Sequence, residues 1–254
     1  MAETILKATD LGIAFGGLKA VSHFNLEVHE GELIGLIGPN GAGKTTVFNL
    51  LTGVYKPTEG SFYLCGQRMN GKKTHEIVAS GIARTFQNIR LFKRMTVLDN
   101  VLISFTGRLK YGLFSSILRT GGYWREEEDI RTKAMELLAV FNLQDKADWN
   151  SENLPYGQQR KLEIARALAT GARMLLLDEP AAGMNPTETA ELLACINVIR
   201  KKFPISILLI EHDMSLVMNI CERIVVIDYG EIIAHGGPDE ISHDPKVIAA
   251  YLGE

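Results

Sequence analysis

The sequence predicts an α/β core interrupted by a helical insertion. Short β-rich runs bounded by turn chemistry fill the chain up to about residue 64. Helical periodicity takes over from about Met95 to Ala169, and four-residue apolar runs then alternate with helical stretches. In order, residues 5–8, 13–15, 25–28 and 33–37 read as strands, and 61–64 as another after the turn residues Thr58, Glu59 and Gly60. Val97, Leu98, Val101, Leu102 and Phe105 fall on one helical face, as do Ala134, Leu137, Leu138 and Phe141. Between them lies a glycine- and aromatic-bearing segment at 108–124, followed by an acidic run at 126–129. Residues 174–177 and 207–210 are apolar runs of the kind buried on both faces of a parallel sheet. Residues 224–227 and 231–234 flank Asp228-Tyr229-Gly230 as a closing hairpin. In the tail, 239–254, the expected packing anchors are Ile241, Ile248 and Leu252.

Composition narrows the classes. The 254 residues are 46% hydrophobic and 22% charged, an ordinary globular balance. With 27 Lys and Arg against 30 Asp and Glu, the net charge of −3 argues against affinity built on nucleic-acid phosphates. Cys65, Cys195 and Cys221 form neither a CxxC nor a zinc spacing, so reduced thiols are expected. The longest apolar run, 247–252, is far short of the roughly 18 residues that a membrane span needs. The opening Met-Ala-Glu-Thr-Ile lacks the basic and apolar regions of a secretory signal, so a membrane role is expected to come through a partner.

Gly38-Pro39-Asn40-Gly41-Ala42-Gly43-Lys44-Thr45 matches G-x-x-x-x-G-K-[ST] between a strand and a helical stretch reaching Leu51. Glycines let the backbone curl so that successive N–H groups face phosphate oxygens. The helix behind presents the equivalent of about half a positive charge to the same anion. Lys44 then reaches the terminal phosphates and the Thr45 hydroxyl can ligate Mg²⁺. Downstream, 174–177 end in Asp178-Glu179-Pro180, an apolar strand closing on two acids. At the carboxyl edge of an open sheet, Asp178 would bind Mg²⁺ and Glu179 would accept a proton from attacking water.

Leu154-Pro155-Tyr156-Gly157-Gln158-Gln159-Arg160, with the helical run through Leu168, resembles the signature segment of ATP-binding-cassette (ABC) ATPases. Gln87 after Arg84-Thr85-Phe86 resembles the Q-loop of that family, Ala181-Ala182-Gly183-Met184-Asn185 its D-loop and His212 its switch histidine. Phe15, in Phe15-Gly16-Gly17, is similar to the aromatic that stacks on adenine. Singly, each has a plain structural explanation: a surface amide, a turn residue, a core aromatic. Their order along the chain carries the inference.

The resemblance narrows further through Phe15-Gly16-Gly17-Leu18, Arg84 to Phe92, Pro180 to Pro186, the Gly-Leu-Phe-Ser stretch at 112–115 and the terminal Ala250-Tyr251-Leu252-Gly253-Glu254. These are similar to ATP-binding subunits of bacterial and archaeal importers for branched-chain amino acids. The resemblance implies a P-loop ATPase cassette with a mixed sheet core. Residues 1–94 with 170–254 would form the RecA-like catalytic core with an N-terminal antiparallel β subdomain, and 95–169 a helical subdomain ending in the signature helix. It implies ATP and Mg²⁺ as ligands, with Gly38, Pro39, Asn40, Gly41, Ala42, Gly43, Lys44, Thr45, Thr46 and Phe15 binding nucleotide. Tyr156, Gly157 and Gln158 would serve the nucleotide of a paired cassette; Thr45, Gln87 and Asp178 would hold the metal; Glu179, His212, Lys44 and Gln87 would be catalytic.

The implied partners are two transmembrane permease subunits, a sister ATP-binding subunit or second copy, and indirectly an extracytoplasmic amino-acid-binding protein, with no nucleic acid. The location implied is peripheral, on the cytoplasmic face of a prokaryotic membrane. The stretch 89–95 would line the groove that receives a membrane subunit. Two departures stand out: Pro155 and Tyr156 replace Ser and the first Gly of the common Leu-Ser-Gly-Gly-Gln signature, and Asn185 stands where many cassettes have Asp. A missing transition-state donor typically costs about 10²–10³-fold in rate, so the two composite sites of a pair need not be equal. Urea import and lipopolysaccharide export remain open as other cargoes, and a soluble, non-transport ABC ATPase as another class.

Overall fold

The computed structural model describes residues 3–105, 107 and 121–252, so the stretch at 112–115 lies outside the described residues. The chain divides into two compact units, one of Met1–Gln87, Arg173–Ala182 and Arg200–Glu254, the other of Asn88–Ala172 and Gly183–Ile199.

The first unit opens with β1 (Thr4–Phe15) and β2 (Leu18–His29), an antiparallel hairpin of two 12-residue strands. The separate short strands expected at 5–8 and 13–15 are therefore one strand, and 25–28 extends backward. Asp10 (φ 51) and His23 (φ 48) adopt the left-handed conformation and bulge the ladder without ending it, which interrupts the alternation on which a sequence reading depends. Asn25 holds the bulge, its Oδ1 accepting from the Asp10 N–H at 2.9 Å while its Nδ2 donates to the His23 carbonyl at 2.8 Å. With β4 (Glu59–Leu64) and β5 (Gln67–Arg68), the strands form an antiparallel sheet ordered β2-β1-β4-β5.

The second sheet contains β3 (Leu33–Ile37), β6 (Ile82–Arg84), β7 (Met174–Asp178), β8 (Ser206–Ile210), β9 (Arg223–Asp228) and β10 (Glu231–Gly236). Its order is β10-β9-β3-β8-β7-β6, parallel except for the closing β9–β10 hairpin. Every residue of β3, β7 and β8 is buried, which is why they read as unbroken apolar runs. The edge strand β6 escapes a sequence reading because three residues ending in an arginine carry no periodicity. Helix α1 (Lys44–Leu51) buries Val47, Phe48, Leu50 and Leu51. Phe48 shares one apolar cluster with Phe24 and Phe62 of the antiparallel sheet and Leu36 of the parallel one, which fixes the loop before α1 to both sheets. Helix α2 (Thr74–Ser80) leads into β6.

The second unit is helical: α3 (Val97–Phe105), α4 (Gly121–Val140), α5 (Tyr156–Ala169) and the larger part of α6 (Pro186–Lys202). The expected apolar faces are buried at Val97, Leu98, Val101 and Phe105, with Leu102 only half-buried, and at Ala134, Leu137, Leu138 and Phe141. Asn100, fully buried, ties the preceding loop to α3: its Oδ1 accepts from the Phe92 N–H at 3.0 Å and its Nδ2 donates to the Thr96 carbonyl at 2.9 Å. Arg166 stacks its guanidinium 4.8 Å from the Phe92 ring centroid and donates to the Arg90 carbonyl, so α5 also grips this loop.

The first unit closes with α7 (Met214–Ile220), α8 (Pro238–His243) and α9 (Pro245–Leu252). In the tail, Ile241 is buried as expected, but Ile248 is 46% exposed and Val247 is buried in its place. The buried face of α9 thus starts one residue earlier than the sequence suggests, and the Leu252 side chain lies outside the described residues. Among the described residues no helix is long and apolar enough to cross a membrane.

Candidate active site

The loop between β3 and α1 is held by close backbone contacts that exclude side chains. A Cβ at Gly38 would lie 2.0 Å from the Ile227 carbonyl oxygen, and one at Gly43 (φ +108) would lie 2.8 Å from the Ala20 oxygen. The Ala42 carbonyl accepts from the Gly230 N–H at 2.9 Å, and the Gly230 carbonyl accepts from Ser22 at 2.8 Å, fastening the loop to the β9–β10 turn and to β2. Asn40, Gly41 and Thr45 face solvent, with Pro39, Gly43 and Thr46 half-buried. Lys44, 6% exposed, donates from Nζ to the carbonyls of Gly38 at 2.6 Å and Pro39 at 2.9 Å. Burial pulls its ammonium below the ordinary lysine range, while the charges of Glu179 and Asp178 pull it back up.

Phe15, at the tip of β1, is 46% exposed and meets Tyr55 edge to face at 5.1 Å. An exposed aromatic held by a second ring is a surface on which a planar base could stack.

At the carboxyl end of β7, Asp178 is 4% exposed and Glu179 begins the turn. Glu179 has φ +47, a left-handed conformation rare for a side-chain-bearing residue, held by its N–H donating to Ile210 at 2.9 Å. The geometry aims its carboxylate at two groups: Oε1 lies 2.6 Å from His212 Nε2, and Oε2 accepts from Gln87 Nε2 at 2.8 Å. The structure therefore brings Gln87, Glu179 and His212 together, at the end of the sheet that carries the phosphate loop.

His212 is oriented by both its neighbours. Glu211, 4% exposed, accepts from the Ala181 N–H at 2.8 Å and from the His212 N–H at 3.3 Å, and burial pushes its carboxyl above the usual range. Asp213 caps α7, accepting from the Ser215 hydroxyl at 2.6 Å and from the N–H groups of Ser215 at 2.9 Å and Leu216 at 3.2 Å, and these bonds, the hydroxyl's first, hold its carboxyl low.

The remaining expected site residues, Tyr156, Gly157 and Gln158, belong to the helical unit. They form the first turn of α5 behind Pro155, whose carbonyl accepts from the Gln158 N–H at 2.9 Å and the Gln159 N–H at 3.0 Å. Tyr156 receives a hydrogen bond from Arg160 at 3.2 Å, and Arg160 in turn pairs with Glu163 at 2.9 Å. A Cβ at Gly157 would come within 2.8 Å of the Glu188 carboxylate, so a side chain there would require Glu188 to shift. Asn185 and Glu188 exchange hydrogen bonds, Asn185 Oδ1 accepting from the Glu188 N–H at 3.0 Å and Glu188 Oε2 from the Asn185 N–H at 3.1 Å. This reciprocal cap at the start of α6 is a structural use for asparagine where the sequence comparison suggested aspartate.

Four residues near the site have no sequence-derived role. Arg84 pairs with Asp178 at 2.7 Å, Asn49 receives a second hydrogen bond from the same guanidinium at 2.7 Å, Glu211 bridges two loops, and Tyr251 of α9 sets its phenol against the Gly38 backbone. Arg84 left a signal, a charge next to a strand end and three residues before Gln87, and Tyr251 stands in the terminal stretch that carries the resemblance.

Residues 21–182 match the family model described as ABC transporter, and residues 231–254 match that of the branched-chain amino acid ATP-binding cassette transporter. The chain belongs to the ABC transporter family. As a transport ATP-binding subunit, the cassette binds and hydrolyses ATP. It is 48% identical, over all 254 residues and the whole of both chains, to the high-affinity branched-chain amino acid transport ATP-binding protein LivG of Escherichia coli strain K12. It is 32% identical to the lipopolysaccharide export system ATP-binding protein LptB of Haemophilus influenzae, with 99% of the cassette and 98% of that protein covered. Among solved structures, the ADP conformation of MJ1267, an ATP-binding cassette of an ABC transporter, superposes with a TM-score of 0.85 at 33% identity, covering 99% of both chains. The α/β fold, with mixed and antiparallel sheets and helices, is that of these cassettes.

Proposed function

We propose that this cassette energises an importer of branched-chain amino acids from the cytoplasmic face of a prokaryotic membrane. The observation that carries the reading is its end-to-end similarity to a branched-chain amino acid transport protein, 48% over the full length, together with the specialised C-terminal match at 231–254. The partners proposed are two transmembrane permease subunits and a sister cassette or second copy, with an external binding protein delivering leucine, isoleucine or valine. Residues 1–94 with 170–254 act as the catalytic core and 95–169 as the helical subdomain, with the stretch 89–95, pinned by Asn100 and Arg166, offered to a permease.

The donor set suits MgATP. Asp178, Glu179, the Thr45 hydroxyl and the Gln87 amide supply hard oxygen ligands of the type Mg²⁺ prefers, and the glycine-lined loop leaves backbone N–H groups clear for phosphate. Thr45, Gln87 and Asp178 would hold the ion, which when bound neutralises charge shared between phosphate oxygens. Lys44 turns from its own loop carbonyls toward the terminal phosphates. Gln87 and His212 hold Glu179 in one rotamer, so that its carboxylate accepts the proton of the attacking water. Tyr156, Gly157 and Gln158 act on the nucleotide of the paired cassette, with backbone N–H groups replacing the absent serine.

ATPase activity in vesicles that also hold the permeases, the sister cassette and the purified binding protein tests this reading. Leucine-loaded binding protein is expected to stimulate hydrolysis several-fold over the empty form, with Glu179→Gln as the blank. Hydrolysis indifferent to the three amino acids would refute the cargo while leaving the cassette chemistry in place.

A further inference from the structure

Arg84 lies at the end of β6, and its side chain is only 7% exposed. It reaches the carboxylate of Asp178, itself 6% exposed, at 2.7 Å through Nη2, and Asn49 Oδ1 on α1 at 2.7 Å through Nη1. The guanidinium lies over two rings, 5.4 Å from the centroid of Phe48 and 5.1 Å from that of Phe86. Its Nε is buried without a hydrogen-bond partner among the described residues.

A buried ion pair of this kind contributes little net stability, because two desolvation costs oppose one attraction. Arginine cannot relieve that cost by losing its proton, and its planar fork suits two fixed oxygen acceptors at once. The pair therefore calls for a role beyond stability. One is visible in what it occupies: Arg84 holds an oxygen of the carboxylate through which a divalent ion would be bound, and Phe86, stacked on the same guanidinium, immediately precedes Gln87.

We propose that Arg84 is a positioning residue that competes with divalent metal for the Asp178 carboxylate, setting the metal affinity of the site and tying it to the segment that carries Gln87. This rests on the reading of Asp178 as a metal ligand. Two cations drawn to one buried carboxylate weaken each other's hold on it. With Arg84 in place, the carboxylate is already compensated, and a metal ion binds firmly only when nucleotide phosphates supply further charge. Without Arg84, a buried and uncompensated carboxylate takes a divalent ion readily.

The test is Mn²⁺ binding by electron paramagnetic resonance to the nucleotide-free chain, which needs no turnover. Arg84→Gln is expected to bind Mn²⁺ at least about tenfold more tightly than the parent, and Arg84→Lys, with one point charge in place of a fork, about threefold more tightly. Adding Asp178→Asn should abolish the gain. Parent-like affinity in a variant that still binds ATP in EDTA overturns the proposal, as does a gain that survives Asp178→Asn. If Arg84→Gln does not fold, Arg84→Lys decides alone, parent-like affinity being the refuting result. Mn²⁺-ATP binding by Asp178→Asn in the parent background separates the two ideas: no weakening there removes the metal-ligand reading and the proposal with it, whereas weakening there with unresponsive Arg84 variants removes the proposal only.

Discussion

Glu211 shows how much one buried side chain can organise. Its carboxylate takes the Ala181 N–H and the His212 N–H together, so the turn after Glu179 and the turn holding its histidine move as one. Burial raises its pKa, helped by the nearby charge of Glu179, against the hydrogen bonds and His212, which lower it. An acid whose folded pKa is raised stabilises the fold below its unfolded value and loses that contribution as pH rises through the folded one. Glu211→Gln, which cannot ionise, is therefore expected to gain in melting temperature relative to the parent as pH rises from the ordinary glutamate value toward neutrality. A difference that stays constant with pH would remove this account. The same variant is expected to lose ATPase rate, since an amide offers one acceptor oxygen for two N–H groups. Asp213 has the opposite shift, its carboxyl lowered first by the Ser215 hydroxyl, consistent with a cap that needs its charge.

At the scale of elements, the turns after β7 and β8 do their work because the strands behind them are rigid. β7 and β8 are buried along their whole length and pair in parallel from Met174 with Ser206 to Asp178 with Ile210. Asp178, Glu179 and Glu211 thus project from strand ends that cannot slide without exposing an apolar row to water. The D-loop is fixed differently, by the cap at Asn185. Asn185→Ala is expected to destabilise α6 by about 1 kcal/mol, read as a lower denaturant midpoint with unchanged slope. Asn185→Asp should retain the cap, because its carboxylate accepts the same Glu188 N–H. Equal losses in the two variants would show that Asn185 works through something other than helix capping.

At the scale of the whole molecule, the phosphate loop and the signature turn fall in different compact units, and the chain carries one of each. A single copy therefore supplies one half of each of two shared nucleotide sites in the pair proposed above. Glu179→Gln removes the proton acceptor proposed above but keeps the hydrogen-bonding shape, so ATP binding should persist while opening of the pair stalls. In MgATP, the variant mixed with its sister cassette, or alone if it self-pairs, should elute as a stable pair in size-exclusion chromatography. The parent under turnover should return to single copies. A variant that hydrolyses ATP at the parental rate would end the assignment of Glu179.

The sequence by itself determined the local structure that is written in consecutive residues. The phosphate loop needs only a strand, a glycine-rich turn, a lysine and a helix start, all within Leu33 to Leu51. The β7 run with its two acids, the hairpin around Tyr229 and the helical faces of α3 and α4 follow the same logic of short-range period and turn chemistry. Tertiary structure decided what depends on partners far along the chain. The bulges at Asp10 and His23 make one strand of what reads as two, because the neighbouring strand supplies the pairing that local alternation lacks. Val247 rather than Ile248 is buried, because the direction from which α9 is approached is not encoded in an all-apolar run. Arg84 meets Asp178 across 94 positions and Glu211 meets Ala181 across 30. A single side chain at such a distance leaves no pattern in the sequence, and only the packing of β6 against β7 and β7 against β8 brings these partners together.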